Sequence, residues 1–166
     1  MVLFLASYGK REIILFGLFW VFLGVLAGWG FPPVAVLPLC GLLFTLYFFR
    51  DPQRKIPADP QAIVSPADGT VVEISEVPSH EALGEDTVKI GIFLSVFNVH
   101  VNRAPCKGTV KSIRYTPGKF HDARDPKCGE YNEQNAIHID GPTPVIVTQI
   151  AGLIARRIVC AIREAD

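Results

Sequence analysis

SPADGTVVEI, residues 65–74, returns 39 residues later as APCKGTVKSI, residues 104–113, with Pro, Gly-Thr-Val and Ile kept at five of ten positions. Each copy reads as a turn in which Gly supplies backbone freedom, followed by a strand whose side chains alternate between two faces. Two turn-strand units of this kind predict a pseudo-symmetric β-sandwich or half-barrel, the architecture that lipoyl and biotinyl carrier domains also use. A carrier displays a modifiable lysine on a hairpin tip, and no Met-Lys-Met or Asp-Lys-Ala segment is present.

Around the repeat, short Val- and Ile-rich runs are separated by Pro, Gly and Asp, and no long stretch has helical periodicity. Strands are expected at Thr70 to Ile74, Thr87 to Val101, Thr109 to Tyr115, Ala136 to Ile139, Val145 to Ile150 and Leu153 to Ile162. His121 to Glu130, rich in Asp, Pro and Gly, is expected as an irregular loop.

Before residue 50 the chain has a different character. Ile13 to Phe31 is a 19-residue run without charge, which as a helix spans roughly 28 Å. A second apolar run, Val34 to Phe49, follows the turn residues Gly-Phe-Pro-Pro at 30–33. The expectation is a membrane-anchoring helical hairpin over residues 1–49, a linker over 50–62 and a β-rich domain over 63–166. Lys10 and Arg11 flank the entrance and Arg50, Arg54 and Lys55 the exit, which by the positive-inside tendency puts both ends on the cytoplasmic face of the cell membrane.

Residues 50–166 carry 14 Lys plus Arg against 15 Asp plus Glu, so the electrostatics exclude nucleic acid as a partner. The four cysteines form no CxxC pair and suit reduced thiols. His121 and Cys128 have no second pair at ligand spacing, so no metal is expected.

The chemistry concentrates in FLSVFNVHVNRAP, residues 93–105. Reading every second residue from Ile90 gives Ile90, Ile92, Leu94 and Val96, then Asn98, His100 and Asn102, with Arg103 next. An imidazole flanked by amides can exchange a proton near neutral pH, and an arginine can hold a carboxylate or phosphate through two hydrogen bonds. A solvated sheet face is the competing reading. Asp68 stands before Gly69, a frequent turn choice, and Asn132, Glu133 and Asn135 form a second polar cluster. Adjacent Arg156 and Arg157 point to opposite faces if they lie on a strand.

FFRDPQRKIP, IVSPADGTVVEI, FNVHVNRAPCKGTV, YTPGKF, NEQN and QIAGLIARRIV, in this order behind a hydrophobic N-terminus, resemble the short prokaryotic type of phosphatidylserine decarboxylase, including archaetidylserine decarboxylases. The resemblance covers Phe48 to Asp166. It implies a self-cleaving zymogen whose Ser becomes a pyruvoyl group on a small C-terminal chain, and a phospholipid substrate converted from the serine to the ethanolamine form. It further implies that His100 is the catalytic histidine and proton donor, and that Asp68 takes part in self-processing. Asn98, Asn102 and Arg103 then bind or orient the headgroup. Longer family members have a second histidine three residues on, where this sequence has Arg103. The family's cleavage point is Gly-Ser, and no Gly-Ser dipeptide occurs here. The pyruvoyl-forming Ser is therefore expected to be missing from the chain. The other reading left open is a truncated, non-catalytic membrane-bound β module, or a fragment needing a complementary C-terminal piece.

Overall fold

A computed structural model describes residues 4–59, 61–80, 82–125 and 127–166. Pro60 of the expected linker and Pro126 of the expected loop lie outside the described residues. The chain divides into two units, residues 1–56 with 94–102, and residues 57–93 with 103–166.

The first unit is built on the helical hairpin. Helix α1, Lys10–Gly30, and helix α2, Val36–Phe48, are joined through a single 3-10 turn at Pro32–Ala35. The prolines fall where a helix N-terminus has no use for their missing N–H groups. Trp20 Nε1 donates to Thr45 Oγ1 at 3.1 Å, and Thr45 Oγ1 donates to the Gly41 carbonyl at 2.9 Å. Gly41 makes the approach possible, since a Cβ there would lie 2.6 Å from the Trp20 ring. Many of the other apolar side chains of the hairpin face outward, including Leu18 at 64% and Phe22 at 62% exposure. A segment over Ser7–Gly30 is long and apolar enough to cross a membrane, while Pro32–Phe48 is shorter. So much outward apolar surface is consistent with membrane association of this segment.

The second unit is β. Strands β1, Thr70–Val77, and β2, Thr87–Phe93, form an antiparallel pair. Strands β3, Thr109–Thr116, β4, Gln134–Asp140, and β5, Val145–Ile150, form a three-stranded antiparallel sheet in that order. The molecule is thus mainly β after a helical hairpin, as the sequence pattern implies.

The repeat is real in three dimensions. The Val64 N–H donates to the Pro105 carbonyl at 2.8 Å, and the Arg103 N–H donates to the Pro66 carbonyl at 2.9 Å. Val64 and Arg103 are 39 residues apart, as are Pro66 and Pro105, so the two turns hold each other by a reciprocal pair of bonds. Each turn ends at a glycine pressed on the partner strand. A Cβ on Gly69 would lie 2.5 Å from the Phe93 carbonyl and 2.7 Å from Ile92 Cγ2; one on Gly108 would collide with the Asp140 carbonyl and lie 2.7 Å from Ile139 Cγ2. The ladder then slips by one residue, at Val72 in β1 and at Lys111 in β3. Such a bulge sharpens the local twist.

Two expected strands are corrected. The run from Thr87 stops as a strand at Phe93, because Asn98 closes a turn: its N–H donates to the Ser95 carbonyl at 2.9 Å, and its Oδ1 accepts from Ser95 N and Oγ, both at 2.8 Å. Leu153 to Ile162 contains no strand, for it has no partner ladder to complete its backbone bonds. Arg156 instead donates from Nε to the Leu153 carbonyl at 2.9 Å. The core, Val110, Ile137 and Ile139 with Cys106, Ile113 and Val147 packed against them, lies in the β3–β5 sheet.

Candidate active site

His100 lies in the stretch that the turn at Ser95–Asn98 redirects, so it stands on an irregular segment and not on the face of a strand. Three features fix its ring. Val99 beside it is 2% exposed and anchors the backbone. His100 Nδ1 lies 3.1 Å from the Asn98 carbonyl. A carbonyl only accepts, so Nδ1 carries the hydrogen and Nε2 is left to take or give a proton. The third feature is the Phe48 ring at the end of α2, stacked on the imidazole with centroids 4.3 Å apart and planes 26° from parallel.

The sequence pattern flagged the histidine but not its aromatic and cationic surroundings. Arg50, two residues beyond α2, donates from Nη1 to the Tyr47 carbonyl at 2.7 Å and from Nη2 to the Phe97 carbonyl at 2.8 Å. Its guanidinium lies 3.7 Å over the Tyr47 ring. Phe97 in turn meets Phe44 edge to face, with centroids 6.2 Å apart. The signal was present in FFRDP, where aromatic residues precede an arginine at the end of an apolar run; read alone, that arginine is only a membrane flank.

The His100 pKa is lowered from its ordinary value, first by burial and further by the Arg50 charge, while the bond to the Asn98 carbonyl works in the opposite direction. The resting imidazole is consequently biased toward the neutral form.

The expected site residues divide between the units. Asn98, His100 and half-exposed Asn102 belong to the first unit, Asp68 and Arg103 to the second. The Asn98 side chain is occupied in its own turn, which leaves its carbonyl as the group that touches the histidine. Asp68 is half-buried in the bend that follows Pro66, whose carbonyl Arg103 binds through its backbone N–H.

The Asn132 cluster has a structural role that its sequence concealed. Asn132 is 1% exposed; its Oδ1 accepts from the His121 N–H at 2.8 Å, and its Nδ2 donates to the His121 carbonyl at 3.0 Å and the Ala151 carbonyl at 2.8 Å. It clasps the loop between Lys119 and the short helix at Cys128–Tyr131 onto the end of β5. Burial raises the Cys128 thiol above its ordinary pKa, so that residue rests as the thiol.

A sequence profile described as phosphatidylserine decarboxylase matches residues 42–166. The chain belongs to the phosphatidylserine decarboxylase family. It is 52% identical over 136 residues to the phosphatidylserine decarboxylase proenzyme of Syntrophus aciditrophicus, covering 80% of this chain and 63% of that one. The proenzyme of Desulfotalea psychrophila is 48% identical over 130 residues, covering 77% and 61%. The proenzyme of Chlorobium chlorochromatii is 44% identical over 168 residues, covering 98% and 78%. The match thus spans about three-fifths of the length of the first two relatives.

Proposed function

We propose that this chain supplies the lipid-binding and proton-transferring part of an enzyme that decarboxylates phosphatidylserine, or an analogous serine phospholipid, to the ethanolamine lipid. The observation that carries the reading is the family match across residues 42–166, with 44–52% identity to named proenzymes. The apolar hairpin of residues 1–49 holds the β-rich region of 63–166, through the 50–62 linker, at the cytoplasmic face of the membrane. A membrane-resident substrate is consistent with such an anchor.

The cofactor expected of the family is a pyruvoyl group, which would supply the electron sink that loss of carbon dioxide requires. A small C-terminal chain carrying the group is the expected partner. The donor set suits what such a group requires, since the carbon that loses carbon dioxide must next receive a proton. His100 takes up a proton from solvent at Nε2 and donates it to that carbon, returning to the neutral imidazole, while Nδ1 stays on the Asn98 carbonyl. Asn98 is therefore an orienting residue. Asn102 and Arg103 bind the headgroup, and Asp68 assists self-processing.

The test is a chimera in which the Gly-Ser-containing segment of a family member follows Asp166. The fused protein is expected to cleave itself and to form the ethanolamine lipid from phosphatidylserine vesicles, with His100→Gln lowering turnover by about 10²–10⁴-fold. An intact, inactive chimera beside an active donor enzyme sinks the reading.

A further inference from the structure

The Arg50 guanidinium is unusual in what holds it. Among the described residues the groups that grip it are two backbone carbonyls and the face of Tyr47, none of them anionic. A guanidinium has five N–H donors; among the described residues two are spent on the carbonyls, which leaves others for a further acceptor. Capping the last carbonyls of a helix explains the bond to Tyr47. It does not explain the bond to Phe97, which lies 47 residues away in the segment that carries His100. Arg50 also stands two residues beyond the end of the apolar hairpin, and basic residues that flank an apolar segment are the ones that meet lipid headgroups.

We infer that Arg50 is a binding site for the phosphodiester of a membrane phospholipid, gripped by Tyr47 and Phe97 so that the headgroup is presented beside His100. This rests on the decarboxylase reading above and adds a residue and a ligand group to it. Of the anionic groups on a serine phospholipid, the phosphodiester is the one the chemistry requires. A guanidinium on the carboxylate would stabilise a charge that has to leave, and so would favour substrate over transition state. The phosphodiester is unchanged from substrate to product, so a grip on it fixes position without raising the barrier. The planar fork of arginine matches two phosphate oxygens, which a lysine ammonium does not.

The experiment uses the full chain in maltoside micelles, which contain no phosphate, and follows the His100 ring resonances on titration. The probes are dihexanoyl phosphatidylserine, dihexanoyl phosphatidylethanolamine, dihexanoylglycerol, glycerophosphoserine and inorganic phosphate. Both phospholipids are expected to bind saturably and to shift His100, dihexanoylglycerol to leave it unmoved, and Arg50→Gln to weaken phospholipid binding about tenfold. Arg50→Lys, which keeps the charge and loses the fork, should fall between. If Arg50→Gln fails to fold, as helix content by circular dichroism reveals, the Lys variant decides: intermediate affinity supports the site and unchanged affinity overturns it. Unchanged affinity in a folded Gln variant overturns it as well, as does equal binding of dihexanoylglycerol. Inorganic phosphate or glycerophosphoserine binding as tightly as the lipids would make this a general anion site and overturn the membrane-lipid assignment. No decarboxylation is read. A chain that binds through Arg50 and whose chimera is inactive sinks the proposed activity alone.

Discussion

The two halves of the β unit share a plan and differ in burial. Ile74 pairs with Ile90 across β1 and β2, and 39 and 47 residues later Ile113 pairs with Ile137 across β3 and β4. Val71 opposite Ile92 is likewise repeated as Val110 opposite Ile139. Yet Val71 is 53% exposed where Val110 is 8%, and Ile90 is 56% exposed where Ile137 is 7%. The same cross-strand pairs, entered through the same glycine turn and bulge, form a core in one half and a surface in the other. Local sequence therefore set the backbone, while burial followed from what lies against it. In the second half Val147 of β5 pairs with Ile137 and packs on the cluster. Counting on from β2 by the same 47 residues, the position of Val147 is that of His100. At that count the chain has left the β unit for the irregular segment that carries His100, whereas the second half adds a third strand.

The largest expected effect is the contrast between two truncations. Ile137→Ala should cost about 2–5 kcal/mol, as deletions from a packed core do. Ile90→Ala at the matching exposed position should cost less than about 1 kcal/mol. Chemical denaturation of both variants measures the difference. Equal losses would mean that the β1–β2 face is covered in solution, and the contrast drawn from exposure would fall.

How far the sequence showed this depends on where the physics is local. The turns at Gly69 and Gly108 were legible because a close backbone approach leaves room for no other residue, and the Gly-Thr-Val echo marks both. The reciprocal bonds of Pro66 and Pro105 could not be read, since they depend on two segments meeting. Period-two alternation continues through Val101, yet Phe93 ends the strand because the Asn98 side chain satisfies Ser95 in a turn; alternation reports faces and does not report where a ladder stops. For His100 the pattern singled out the residue without its setting, because Phe48 and Arg50 come to it from the far end of an apolar run.

A smaller effect sharpens the likeness of the halves. Gly69→Ala and Gly108→Ala each drive a Cβ onto a partner-strand carbonyl and an isoleucine methyl. The obstacle is backbone and cannot swing aside, so each substitution should cost about 1–3 kcal/mol, the range for overpacking. The two losses should agree, since the collisions are alike although the surrounding burial is not. A Gly108→Ala loss well above that of Gly69→Ala would show that the core of the second half stiffens its turn and that the turns are equivalent in geometry only.

The smallest effect separates His100 from Val147, the residue at the matching position. Burial first, and then the Arg50 charge, lower the His100 pKa in the folded protein. The unfolded chain takes up this proton near pH 6.5 and the folded chain resists it. The stabilising preference for neutral imidazole is therefore present above that pH and is lost as the pH falls from about 6.5 through the lower folded value. His100→Gln should flatten this part of the stability profile, and substitutions at Val147 should not change its slope. Arg50→Gln should move the His100 titration upward, and only part of the way, because burial is the larger cause and remains. Ring chemical shifts followed from pH 8 to 5 give both results. A full return to the ordinary value in the Arg50 variant would show that charge governs the imidazole, and that the Phe48 stack and Val99 do not shield it.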